Sequence, residues 1–167
     1  MDIIEIIQKE FHLRLYEEGF TRIEKCLTQL EEKEVWLKPN DNSNSVGNLI
    51  LHLEGNIRQY VLSGIKGDKD TRIRDLEFSI VSEDINKAMD RLRNTILECN
   101  ACITNLKIED LTETRSVQGF DLTVLAIIIH VIEHFSYHVG QITFFTKMKK
   151  NVDTGYYEGM DLNLKSS

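Results

Sequence analysis

Proline is nearly missing from this chain: Pro39 is the single one among 167 residues. Proline removes an amide donor and clashes with the preceding turn, so its scarcity leaves long stretches free to be helical. Cysteine is scarce as well. Three thiols, Cys26, Cys99 and Cys102, do not make the paired framework of a small secreted protein and point to reduced thiols in a cytosol. The C-x-x-C formed by Cys99 and Cys102 falls inside a helical pattern with no second such pair, which reads as packing rather than as redox or zinc chemistry. The longest apolar run, VLAIIIHVI at 124–132, is far short of the roughly 20 residues a bilayer requires. Met1 is followed by Asp2 and Glu5 rather than by a basic and then apolar leader, so the expectation is a cytoplasmic protein without a membrane partner. Positive charge is in deficit. A net charge of −7 argues against nucleic acid as a partner. The one dense basic cluster, KMKK at Lys147 to Lys150, lies where cations favour the negative end of a helix dipole. Sustained strand-type alternation, internal repeats and low-complexity segments are also missing.

What remains is helical periodicity in a chain of one-domain length, expected to fold as a single domain over 1–167. Ile3, Ile6, Ile7, Phe11, Leu15, Ile23, Leu27 and Leu30 set a first helix over 2–34, with Gly19 marking a kink or a close contact. A loop through Trp36, Pro39 and NDNSNS ends at Asn44 or Ser45, either able to cap a second helix over 46–63. Ser82, ahead of Glu83 and Asp84, starts a third helix reaching about residue 106. Asp121 or Thr123 starts a fourth that ends near Lys150, and a tail from Asn151 wraps the surface. Four long amphipathic helices imply an all-α four-helix bundle. The stretch 64–82 exceeds the usual helix–helix loop, so it can cross the length of the bundle between helices two and three. Helix four would then run antiparallel to helix two.

Three of five histidines, His130, His134 and His138, recur at four-residue steps in HVIEHFSYHVGQ. Neighbours four apart share one helix face, so an adjacent pair can converge on one metal ion. His130 and His138 are roughly 12 Å apart along a regular helix and cannot both do so. Either His130/His134 or His134/His138 must combine with an outside ligand. The best outside candidate is His52 in SVGNLILHLEGN, near the inward face of helix two. His12, beside Phe11 and Leu13, reads as a boundary or surface residue. The antiparallel arrangement leans toward the later pair. Phe135 stands where an H-E-x-x-H peptidase needs its glutamate base, and no glutamate has a histidine three residues on, as a di-iron bundle would require. A mononuclear site of neutral imidazoles remains. Imidazole suits zinc, nickel, iron and copper.

These segments resemble the DinB-like (damage-inducible) superfamily of bacterial four-helix metalloproteins. The likeness is strongest in NSVGNLILHLEGN at 44–56 and HFSYHVGQ at 134–141, and it extends over nearly the whole chain. The resemblance implies His52, His134 and His138 as ligands of a divalent ion, zinc or nickel first and iron third, and leaves His130 as a pocket or core residue. It also implies the long crossing between helices two and three, and a homodimer with Phe144, Phe145 and Met148 as apolar positions to spare. Many relatives carry a glutamate just after the first histidine of the pair, where this chain has Phe135; Glu133 precedes His134 instead and points elsewhere. Relatives of known activity transfer a low-molecular-weight thiol such as bacillithiol or mycothiol onto an electrophile, or use such a thiol in an isomerisation. The implied function is a metal-dependent thiol transferase acting on a small electrophile. A stress-related metal-binding bundle without efficient catalysis and a metal-dependent hydrolase are the alternatives.

Overall fold

A computed structural model describes residues 2–165. The chain is mostly helical. Asp2 opens helix α1 (Ile3–His12) through a capping box with Glu5, which satisfies otherwise orphaned first-turn amides. The helix runs on through a π-helical stretch, Leu13–Phe20, into α2 (Thr21–Leu27). Phe11, Leu15, Phe20, Ile23 and Cys26 form its buried face. The expected first helix is therefore too long: it stops at Leu27, and a short α3 (Glu32–Val35) follows. Leu30 keeps the apolar period but lies beyond the break.

Helix α4 (Val46–Ile57) is N-capped by Ser45, whose hydroxyl accepts from the Asn48 amide. All of its residues except Glu54 are buried, as expected of a helix apolar on every side. It continues as a π-helical stretch, Arg58–Lys66, ended by Gly67 with φ +89°. The long connection is not bare loop. It carries a short helix, α5 (Arg74–Ser79), packed on α4. Helix α6 (Ile85–Thr104) starts at Asp84, two residues later than the expected Ser82 cap, because the Asp84 carboxylate accepts from the Asn86 and Lys87 amides.

The second irregular stretch contains structure that the sequence pattern did not announce. A 3-10 turn (Ile108–Thr112) leads to an antiparallel hairpin of β1 (Thr114–Val117) and β2 (Phe120–Thr123), with Val117 opposite Phe120. Its two-residue turn puts Gln118 at φ +52° and Gly119 at φ +82°, the pairing of positive φ angles that matches the twist of a tight hairpin. Thr123 then caps the final helix, α7 (Val124–Lys150), by accepting from the Ala126 amide. Helix α4 packs against α5, α6 and α7, while α2 and the first π-helical stretch lie along α7. Gly19 makes a close contact: a methyl there would come within 2.6–2.8 Å of the Phe135 ring. The tail docks through Tyr156, whose hydroxyl bonds Thr143 on α7 at 2.8 Å and lies 3.1 Å from the Cys26 thiol. No helix among the described residues is long and apolar enough to cross a membrane.

Candidate metal centre

Helix α4 presents His52 and helix α7 presents His134 and His138. The three rings meet: His52 Nε2 lies 3.1 Å from His134 Nε2, and His138 Nε2 lies 3.2 Å from the same atom. A zinc ion about 2.0–2.1 Å from each of two imidazole nitrogens, in tetrahedral geometry, separates them by roughly 3.3–3.4 Å. The observed spacing is close to that value, and the three side chains could hold a metal ion between them. The antiparallel pairing of α4 with the later part of α7 brings the His134/His138 pair, not His130/His134, to His52. His130 stays one turn away, its ring 5.5 Å from that of His134. His12 is remote, half-buried on α1, with Nε2 3.5 Å from Glu17.

Two rings are fixed from behind. Glu77 Oε2 lies 2.8 Å from His52 Nδ1, and Gln141 Oε1 lies 2.6 Å from His138 Nδ1. His52 Nδ1 faces both Glu77 Oε2 and, at 3.1 Å, Arg72 Nη2. Arg72 Nη2 already donates to Glu77 at 2.9 Å and a carboxylate can only accept, so the shorter contact with Glu77 takes the His52 proton on Nδ1 and leaves a bare Nε2 toward the other rings. Such outer partners orient metal-binding imidazoles and raise their basicity. Glu77 is itself held by Arg72, through Nε at 2.6 Å and Nη2 at 2.9 Å, and Arg72 Nη1 donates to Gln59 at 2.8 Å. Arg72 and Glu77 side chains are only 5% and 10% exposed. Burial pushes the Glu77 carboxyl upward, but the hydrogen bonds from Arg72 and His52 outweigh it and hold the group below the usual carboxylate range. Breaking such a buried pair by deleting one partner costs about 3–5 kcal/mol, because the other charge is stranded.

The two rings on α7 are held neutral. Burial pushes His134 down to about 3, helped by the neighbouring His138 and His52. Burial also lowers His138, against the opposing pull of Gln141. Neutral imidazole is the ligating form, so the donor set suits a divalent cation. Phe78 lies tilted beside His52 at 4.9 Å and Tyr137 meets His138 edge-on at 5.0 Å.

Sequence reasoning missed Glu77, Arg72 and Gln59, and gave Gln141 no role. Gln141 closes the HVGQ segment three residues after His138, a spacing that places it beside that ring. Arg72 and Glu77 lie in the polar crossing, where scattered charges hide a pair that only the fold brings to His52.

Among curated proteins, none matches the chain. The fold is similar to that in the crystal structure of a conserved protein from Enterococcus faecalis, with a TM-score of 0.68 and 14% identity over 89% of this chain and 97% of that one. At that identity the likeness concerns the fold alone. A family model for proteins of unknown function, DUF1572, matches residues 8–156, and this chain belongs to that family.

Proposed function

We propose that this protein is a metal-dependent enzyme that binds one divalent ion, zinc or nickel before iron, through His52, His134 and His138, and transfers a low-molecular-weight thiol of the bacillithiol type onto a small electrophile. The observation that carries the proposal is the approach of three ring nitrogens to 3.1 and 3.2 Å, with two of the rings anchored from behind. A divalent ion with an open position binds sulfur and favours the thiolate, the nucleophilic form. The chain supplies the rest: Glu77 and Gln141 fix ring orientation, and Arg72 neutralises Glu77. The α1–α2 helix, α4, α6 and α7 make up the four-helix bundle of the DinB-like type, with the segment holding α5 as its long crossing. Three free thiols accord with the cytoplasm, and the protein is a homodimer in this proposal.

No cysteine of the chain is needed as nucleophile. Cys99 is fully buried, and burial pushes its thiol upward. Cys26 is buried beside Tyr156. A second proposal, a stress-related metal-binding bundle without efficient catalysis, is favoured by one observation. Phe135 is buried against Gly19, so the position where many relatives carry a glutamate provides no acid–base group.

The test is to load the protein with Zn²⁺ or Ni²⁺ and incubate it with a model electrophile and a panel of thiols that includes bacillithiol. Conjugation that needs both metal and thiol, and survives a triple Cys→Ser change, supports the transferase. Stoichiometric metal without turnover selects the binding bundle, and electrophile hydrolysis without thiol selects a hydrolase. Failure to bind either metal overturns all three.

A further inference from the structure

His130 is the member of the histidine stripe that the metal proposal leaves unused. Its ring stacks on Tyr60 at 4.4 Å and 31°, and faces His134 at 5.5 Å and 30°. The Tyr60 hydroxyl donates to Gln118 Oε1 at 2.9 Å, at the tip of the hairpin. His130 Nε2 is buried with no hydrogen-bond partner, and so is His134 Nδ1. Two orphaned nitrogens on adjacent rings call for a common explanation, since buried polar groups are normally paired.

Proton bookkeeping around the three-ring cluster supplies it. Glu77 fixes the His52 proton on Nδ1, and Gln141 Oε1 fixes that of His138 on Nδ1. Both rings therefore offer bare Nε2 lone pairs. His134 Nε2 lies within 3.2 Å of both, so in the metal-free protein it is the donor, and its Nδ1 is bare. Were the three Nε2 atoms to hold a metal ion through their lone pairs, His134 would carry its proton on Nδ1 instead. That buried N–H needs an acceptor.

We propose that His130 is the positioning residue for His134: in the metal-loaded protein its Nε2 accepts the His134 Nδ1 proton, directly or through one bridging water. The inference rests on the three-histidine metal proposal. Before loading, neither nitrogen has a partner. On loading His134 keeps one proton and moves it from Nε2 to Nδ1 by exchange with solvent, while His130, protonated on Nδ1, offers a bare Nε2, so no net proton is lost. Each of the three ligands then has an acceptor behind it: Glu77 for His52, Gln141 for His138, His130 for His134. Tyr60 holds the His130 ring in plane for this role.

The test compares wild type with His130→Phe, which keeps a flat ring on Tyr60 but no nitrogen, and His130→Gln, which restores an acceptor. Zn²⁺ affinity is measured by chelator competition, and site geometry by the visible spectrum of the Co²⁺-loaded protein. We expect His130→Phe to bind Zn²⁺ about 10–100-fold more weakly with an altered Co²⁺ spectrum, and His130→Gln to recover most of both. Long-range ¹H–¹⁵N spectra of the wild type should show the His134 proton on Nε2 without metal and on Nδ1 with Zn²⁺. Unchanged affinity and spectrum in His130→Phe would overturn the inference, as would ligation of His134 through Nδ1. The wild-type spectra decide the matter if His130→Phe does not fold. Zn²⁺ uptake that is lost in His138→Ala but indifferent to His130→Phe removes this inference alone; no uptake by the wild type removes the metal proposal with it.

Discussion

His138 uses both ring nitrogens, one toward the cluster and one toward Gln141, so its removal takes away one of the three proposed ligands and leaves two. His138→Ala should lose stoichiometric Zn²⁺ after gel filtration, as read by elemental analysis; full occupancy would rule it out as a ligand. Glu77→Gln is subtler. It keeps the shape and an acceptor but loses the charge that faces His52 Nδ1 and pairs with Arg72, so Zn²⁺ affinity should fall about 10–100-fold. The same cluster sets an acid limit on the metal-free protein. In the unfolded chain His134 takes up a proton near its ordinary value of about 6.5, whereas in the fold it stays neutral down to about 3. The unfolded state binds more protons between those values, so stability rises with pH there and is lost as pH falls from about 6.5 toward 3. Thermal melts of metal-stripped protein between pH 7.5 and 5 should show this decline, and His134→Leu should flatten it. An equally steep decline in the variant would assign the effect to other groups.

At the scale of elements, the short helix α5 matters because it delivers Glu77, and α4 holds it in place. Asn48 is fully buried and donates to the Glu77 and Ile80 carbonyls at 2.9 and 2.8 Å, while its own Oδ1 accepts from Ser45 at 2.8 Å. Gly55 lets the carboxylate come close: a methyl there would meet Glu77 Oε1 at 2.2 Å. The obstructing oxygen belongs to a side chain clamped by Arg72 and His52, so Gly55→Ala should push Glu77 off His52 and disturb the buried pair. The expected result is Zn²⁺ affinity reduced about tenfold together with a lower melting temperature of the metal-free protein. Unchanged affinity and melting temperature would contradict this. These contacts also show what the sequence could disclose. Helices α4 and α7 were legible because long apolar periods and Ser45 and Thr123 caps are local signals. Helical spacing narrowed the histidines to two adjacent pairs, and the family resemblance, not the spacing, singled out His134 and His138. Helix α5 was not legible: six residues whose stability comes from Asn48 on another element leave no period to detect. The hairpin was hidden for a similar reason, with four-residue strands too short to establish alternation. The end of the first helix was misplaced because Leu30 continues the period after the backbone has turned.

For the whole molecule, the outer face of α7 carries the remaining unexplained feature. Phe145 is buried, so it packs inside the chain rather than serving as a spare apolar position, but Phe144 is 70% and Met148 60% exposed. With Glu133, Ser136, Gly140 and Lys147 they form one exposed stripe at helical spacing. Gly140 is at its centre, and nothing lies within 4 Å of where its Cβ would be. The order of residues about Gly140 is self-complementary. In an antiparallel α7–α7 contact with its two-fold axis at Gly140, Ser136 meets the Phe144 of a second copy, Ile132 meets Met148, and Glu133 meets Lys147. Such an isologous contact pairs every residue with its mirror position, and the glycine permits the helices to cross closely. The homodimer proposed above should form through this face. Light scattering at micromolar concentration should report twice the chain mass for wild type and the single mass for Phe144→Asp with an unchanged circular dichroism spectrum. Gly140→Leu should weaken the dimer by holding the helices apart. Glu133→Lys and Lys147→Glu should each weaken it, since each places like charges across the axis, and the double exchange should restore it. A monomeric wild type would refute the dimer. A dimer indifferent to Phe144→Asp and to the charge exchanges would move the interface to another face.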